Sequence, residues 1–192
     1  MGKGRRGNLI AANRMERDHF AVVGGNEVKP DTSKPDSANA VRVREILAQV
    51  KPLAAEYYRL TGKPLGVTGE VAEYIAADIL GLTLVPARTV GYDALRGTER
   101  IQIKGRAYGV DAKPGQRMSR IKIDAPCDTV LLVLLDNATL EPREMWEAPY
   151  SAVVECLSQP GSKARDRGAL GVSAFKRVGR RVWPVTMAAA TR

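Results

Sequence analysis

The sequence predicts an α/β protein in which a mixed central β-sheet is flanked by helices, and three observations predict it. Two segments with helical spacing of apolar residues, 37–60 and 68–80, come first. Short runs rich in apolar and β-branched residues follow at 82–86, 91–106 and 143–148, as expected of half-buried strands. Between them Asp128-Thr-Val-Leu-Leu-Val-Leu-Leu-Asp136 is an unbroken apolar run bounded by acids, the pattern of a central strand covered on both faces. Helices on such a sheet make a layered sandwich around one core.

Taken in order, residues 1–37 are rich in Gly, Lys, Arg, Pro, Asp and Ser, with an apolar patch at Phe20-Ala-Val-Val23. They are expected to form a flexible basic arm, which either adds phosphate contacts or is simply an unstructured terminus. The remainder, 38–192, is expected to be one domain. Ser37 is placed to cap the first helix, whose apolar stripe includes Val41, Ile46, Leu47, Val50, Leu53 and Ala54; Pro52 is expected to end or kink it. A turn cluster, Thr61-Gly-Lys-Pro-Leu-Gly66, separates it from a second helix that begins at Thr68 or Gly69 and stops at Gly81. That helix buries the half carrying Val71, Ala72, Ile75, Ala76, Ile79 and Leu80. Glu73 falls at the border of this half, with Glu70 one turn earlier.

After a short strand at 82–86, Gly91 to Arg106 reads as a β-hairpin turning at Gly97-Thr98. Residues 107–120 look like a basic loop, and Ile121-Lys-Ile-Asp124 opens either a strand or a short helix. Asn137 turns the chain from the apolar strand into its antiparallel neighbour, Arg143–Ala148. Pro149 to Leu157 reads as a helix with proline near its first turn. Gln159 to Gly171 is a polar, basic loop, and Phe175, Val178, Val182 and Trp183 end the domain on a short helix or an extended segment.

Composition bounds the function. The chain of 192 residues carries a formal charge of +9 from Lys and Arg, a balance that favours a polyanionic partner, with nucleic acid first. Aromatics are 5% of the residues, which argues against single-strand binding by base stacking and for duplex or branched DNA held by its backbone. His19 is the single histidine, so mechanisms that need two are excluded. Cys127 and Cys156 show no metal or redox spacing and read as small apolar residues in a reducing compartment. No apolar run reaches the ~18–20 residues that span a bilayer, and no apolar stretch of a secretory signal follows the basic start. A cytoplasmic protein with no membrane partner is expected.

The hairpin carries the chemistry. With the turn at Gly97-Thr98, Asp93 is expected directly opposite Gln102, and the period of two puts Lys104 on the face of Gln102. A carboxylate, an amide oxygen and an ammonium then stand side by side. Mg²⁺ prefers oxygen ligands and keeps several waters, so Asp93, Gln102 and the carbonyl of Ile103 would suffice to hold it. Lys104 would orient an attacking water or offset charge in the transition state of phosphodiester hydrolysis. Glu73 or Glu70 could complete the site.

These residues carry a resemblance. Gly69-Glu-Val-Ala-Glu73-Tyr-Ile-Ala76 with Leu80, then Gly91-Tyr-Asp93, then Gln102-Ile-Lys104-Gly-Arg106 resembles the pattern of the PD-(D/E)XK nuclease superfamily. It is most similar to the restriction-endonuclease-like and Holliday-junction-resolvase-like branches, over about residues 66–135. The resemblance implies a restriction-endonuclease-like core and a metal-dependent endonuclease acting on DNA. It makes Glu73, rather than Glu70, the helix carboxylate, with Asp93, Gln102 and Lys104 the metal-and-catalysis set. Mg²⁺, with Mn²⁺ as its substitute, is the implied cofactor, and a homodimer is a further implication. The chain departs from the pattern at Gln102, where an acid is usual. Candidate DNA contacts are Arg106, Lys113, Arg117, Arg120 and Lys122, with Lys163, Arg165 and Arg167 from the later loop. The other readings are a nuclease-fold protein that binds nucleic acid without cutting it, and a basic interaction or toxin-accessory protein.

Overall fold

The structure is a computed structural model that describes residues 37–112, 115–125 and 127–184. Lys113, His19 and the whole of the expected basic arm before Ser37 lie outside the described residues. Two helices, α1 (Ser37–Thr61) and α2 (Thr68–Leu80), precede the strands β1 (Thr83–Leu84), β2 (Ala94–Arg96), β3 (Glu99–Ala107), β4 (Thr129–Leu135) and β5 (Pro142–Pro149). Three short helices, α3 (Tyr150–Ser158), α4 (Lys163–Asp166) and α5 (Val172–Val178), lead to the last strand, β6 (Arg180–Trp183).

The strands form one sheet in the order β1-β2-β3-β4-β5-β6. Pairing is antiparallel except between β3 and β4, so the expected mixed sheet is present. β4 sits centrally because both its faces are apolar: every residue from Val130 to Leu135 is buried. Its odd-numbered residues Leu131, Val133 and Leu135 pack with Ile101, Ile103 and Met145 against α2 residues Val71, Ala72 and Ala76. Its even-numbered residues Val130, Leu132 and Leu134 pack with Val153, Leu157 and Phe175 of α3 and α5. Burying a leucine or valine side chain contributes about 1.5–3 kcal/mol, so this one strand anchors both layers.

α2 has the expected bounds, and Gly81 ends it in the left-handed conformation at φ 66°, where its N–H reaches the Ala77 carbonyl. α1 does not end at Pro52; it continues to Thr61. Each of its halves is fastened to the body of the domain. Ala54 is buried in the core. The Arg44 guanidinium grips Asp78 of α2 at 2.7 Å, and Lys51 pairs with Glu141 at 3.0 Å.

Elsewhere the structure corrects or sharpens the expectations. Ile121–Asp124 forms neither strand nor helix; it is a turn fastened by the Tyr150 hydroxyl, which donates to the Lys122 and Ile123 carbonyls. The loop after α3 contains α4, and the tail is both a helix, α5, and a strand, β6, that extends the sheet beyond β5. The β4–β5 turn begins at Asn137, as expected, and Asp136 braces it: its Oδ1 accepts from the Ala138 and Thr139 N–H groups.

A parallel pair is usually joined by a helix. Here, among the described residues, the β3–β4 crossover has none. It is held instead by bonds to the α3–α5 layer: Met118 N–H to Leu170 O, Ile121 N–H to Gly168 O and Val172 N–H to Gln116 O.

On the opposite face, α2 comes unusually close to β3. A Cβ at Gly105 would lie 2.5 Å from the Thr68 carbonyl oxygen and 2.6 Å from the Ala72 Cβ. A strand glycine of this kind marks a close backbone approach. Gly105→Ala is therefore expected to destabilise the fold by about 1–3 kcal/mol, the cost of overpacking a filled interface. Urea denaturation read by circular dichroism measures it, with Gly66→Ala, where a Cβ meets nothing within 4 Å, as the control.

Candidate metal centre

β2 and β3 turn at Gly97-Thr98, with Arg96 opposite Glu99 and Ala94 opposite Ile101, as the hairpin reading expects. Beyond Ala94 the ladder changes. Asp93 donates its N–H to the Ile101 carbonyl at 2.9 Å, and its carboxylate Oδ2 accepts from the Ile103 N–H at 2.7 Å. Asp93 is thus not in simple register with Gln102. Its side chain takes the place that a strand backbone would occupy beside Ile103. A residue's N–H and C=O point to the same edge of its strand, so the Ile103 carbonyl faces the Asp93 side as well.

Gln102 is 4% exposed. Its Nε2 donates to the Gly91 carbonyl at 3.1 Å, while its Oε1 is buried with no hydrogen-bond partner. A buried acceptor left unpaired costs about 1–3 kcal/mol. Gly91 was read only as a glycine preceding Asp93; its carbonyl is what sets which way the Gln102 amide points.

The close approach at Gly105 sets the first turns of α2 against β3, and Glu73 follows Ala72 directly. Glu73 is half-buried. Burial first, then the charges of Asp93 and Glu70, push its carboxyl up to about 7, with Lys104 opposing. Lys104 is also half-buried; loss of water lowers its pKa, helped by Lys122 and opposed by Asp93 and Glu73. Glu73, Asp93 and Lys104 therefore lie within each other's fields, yet Lys104 forms no ion pair among the described residues. Glu70 is exposed at the start of α2.

Among the described residues no three His, Cys, Asp or Glu side chains are gathered closely enough to hold a metal ion. The donor set fits a hard cation nonetheless. The candidate donors are the Asp93 carboxylate, the buried Oε1 of Gln102 and the Ile103 carbonyl, all of them oxygens, with the Glu73 carboxylate in the field of Asp93.

The basic candidates divide by what their side chains do. Arg120, Lys122, Lys163 and Arg167 are exposed. Arg106 is exposed as well, its Nε bonded to Gln116 Oε1 at 3.2 Å. Arg117 and Arg165 serve the fold instead: Arg117 donates to the Ala169 carbonyl and Ser162 Oγ, and Arg165 to the Gln159 and Pro160 carbonyls. Sequence reading missed Glu147, which is 6% exposed on β5 and held by Arg96 and by Arg180, the latter at 3.1 Å. The single acid after Trp146 gave no signal of burial, because its partners lie on β2 and β6.

No family model matches the chain, and neither does any curated protein.

The Glu73 shift has a measurable sign. With its carboxyl raised above the unfolded value, native protein binds the extra proton between about pH 4.5 and 7, so stability falls as pH rises through that window. In metal-free buffer with EDTA, Glu73→Gln is expected to stabilise the protein above pH 7 by about 1 kcal/mol, reduced by the part-exposure of the side chain. The gain should fade as pH falls to 4.5. Thermal melts of both proteins from pH 4 to 9 test this, and a gain independent of pH would refute it.

Proposed function

We propose that the chain is a Mg²⁺-dependent endonuclease of the PD-(D/E)XK type, with a restriction-endonuclease-like core, acting on duplex or branched DNA. The observation that carries the reading is that Glu73, Asp93 and Lys104 share one electrostatic neighbourhood, with the Asp93 carboxylate bonded to Ile103 N–H between Gln102 and Lys104 on β3. The order of elements supports it: a helix carboxylate, then Asp at the end of one strand, then Gln-x-Lys on the next.

Asp93, Gln102 and Ile103 would hold the cation, with Glu73 beside them. A bound Mg²⁺ supplies positive charge for the phosphoryl oxygens and lowers the pKa of water. The protein's part is positioning. Ile103 N–H fixes one oxygen of Asp93, and Gly91 fixes the Gln102 amide. Lys104, partly stripped of water, offers an ammonium that gives up its proton more readily than a solvated lysine. It would orient the attacking water and offset charge as the phosphodiester opens. Glu73, whose carboxyl burial and Asp93 hold up to about 7 without a metal, would be drawn to its carboxylate form by a cation bound beside it and could then add an oxygen to the site.

Exposed Arg106, Arg120, Lys122, Lys163 and Arg167 would hold the DNA backbone, so affinity should fall steeply with salt. Lys122 is the member of this group whose charge also reaches Lys104. That makes it the natural link between binding and chemistry.

A second reading, a nucleic-acid-binding protein that does not cut, is favoured by the burial of Gln102 and, among the described residues, by the lack of three metal-ligating acids gathered together. Cleavage of supercoiled and branched DNA separates the two. The enzyme should cut with Mg²⁺ or Mn²⁺ and not with EDTA, and Asp93→Asn or Lys104→Ala should slow it at least about 10²-fold without loss of DNA affinity. Intact DNA after incubation with wild type, at concentrations where binding is saturated, would favour the second reading. Salt-insensitive DNA affinity would sink both and leave a basic interaction protein.

A further inference from the structure

α1 carries an apolar stripe that the described domain does not cover. Val43, Ile46, Val50, Leu53, Tyr57 and Leu60 follow one another at spacings of three and four. Strict alternation of three and four is the period of a seam between two supercoiled helices. The buried face of α1 is a different one, carrying Leu47 and Ala54, which pack into the core. Along the seam Ile46 is 44% exposed, Leu53 61%, Tyr57 40% and Leu60 67%, while Val43 and Val50 are half-buried beside them. Pro52 lies outside the seam, lining the groove between α1 and α2 with Leu47 and Ile75.

From this geometry we infer that α1 is a homodimer interface, pairing antiparallel with α1 of a second copy about a two-fold axis between Val50 and Leu53. The stripe is self-complementary in that arrangement. Its first half holds the β-branched Val43, Ile46 and Val50; its second half holds the longer Leu53, Tyr57 and Leu60. The two-fold sets Val43 against Leu60 of the copy, Ile46 against Tyr57 and Val50 against Leu53, each layer joining a short side chain to a long one. A parallel pairing would stack short on short at one end and long on long at the other. In a two-fold contact each residue meets its counterpart reciprocally, so one stripe serves both copies. The antiparallel arrangement also opposes the helix dipoles favourably.

The size of the contact sets its strength. The seam is ~26 Å long at 1.5 Å per residue. Covering it on both copies removes on the order of 1,000 Å² from water, the lower end for specific association. A reversible dimer with a dissociation constant in roughly the micromolar range follows. The inference is independent of the metal centre and stands whether or not the protein cuts DNA.

Sedimentation equilibrium of the full chain across the micromolar range tests it. A monomer–dimer equilibrium is expected, weakened at least about tenfold by Leu53→Glu with Leu60→Glu. Both positions are exposed, so the circular dichroism spectrum and melting temperature should stay those of wild type. Orientation is read by oxidation in a Cys156→Ser background. Val43→Cys mixed with Leu60→Cys should give a disulfide-linked dimer, and Val43→Cys alone should not. A chain that stays monomeric throughout overturns the inference, as does a dimer unaffected by the double variant or a dimer that links Val43→Cys to itself.

Discussion

The contact between the first turns of α2 and β3 decides where the candidate chemistry sits. No side chain separates the two elements at Gly105, so the helix backbone rests almost on the strand. This closeness fixes the height of Glu73 over the sheet and brings it within the field of Asp93 and Lys104. With a larger residue at that position, helix and strand would move apart. The carboxylate would regain water and lose its neighbours together. A packing constraint of the apolar core thus becomes an electrostatic property of the surface beside it.

Two buried polar side chains show opposite solutions to the same problem. Glu147 is taken from water and receives two guanidinium groups, from Arg96 and Arg180, which tie β2 and β6 to β5. Such a cluster holds the sheet together laterally, though its net contribution is small because desolvation offsets attraction. Gln102 is equally buried but has only one of its polar ends partnered. A fold that satisfies Glu147 so fully leaves Gln102 with one buried acceptor unpaired. Unsatisfied groups in native proteins concentrate where something else is to be bound.

Much of the fold was legible in the sequence because its signals are local. α2, its glycine stop, the Gly97-Thr98 turn and β4 follow from residues within a few positions of each other. What was not legible depends on distant partners. Pro52 does not break α1 because Arg44, Lys51 and Ala54 fasten the helix on both sides of it, to residues far along the chain. β6 is short and basic and becomes a strand only because β5 offers it an edge. For the site, spacing put Gln102 and Lys104 on one face of β3 and resemblance chose Glu73 over Glu70, whereas the slip at Asp93 and the burial of Gln102 were not legible. Those follow from a side chain replacing backbone in the ladder, which a period-two argument cannot see. The part of Arg117 and Arg165 in bracing loops was hidden as well: their acceptors are backbone carbonyls and the Ser162 hydroxyl, none of which carries a charge signal.

The sheet ends in two strands that are poor templates for further growth. β1 is only two residues long and is soon followed by Pro86, while β6 presents exposed Arg180 and Arg181 and runs into Pro184. Short length, positive charge and proline each discourage a foreign strand from docking on an open border. A molecule with an apolar helix on its outside and a sheet within could in principle polymerise through either. Blunting both borders confines self-recognition to helices, where a two-fold contact closes on itself and stops at a pair rather than a fibre.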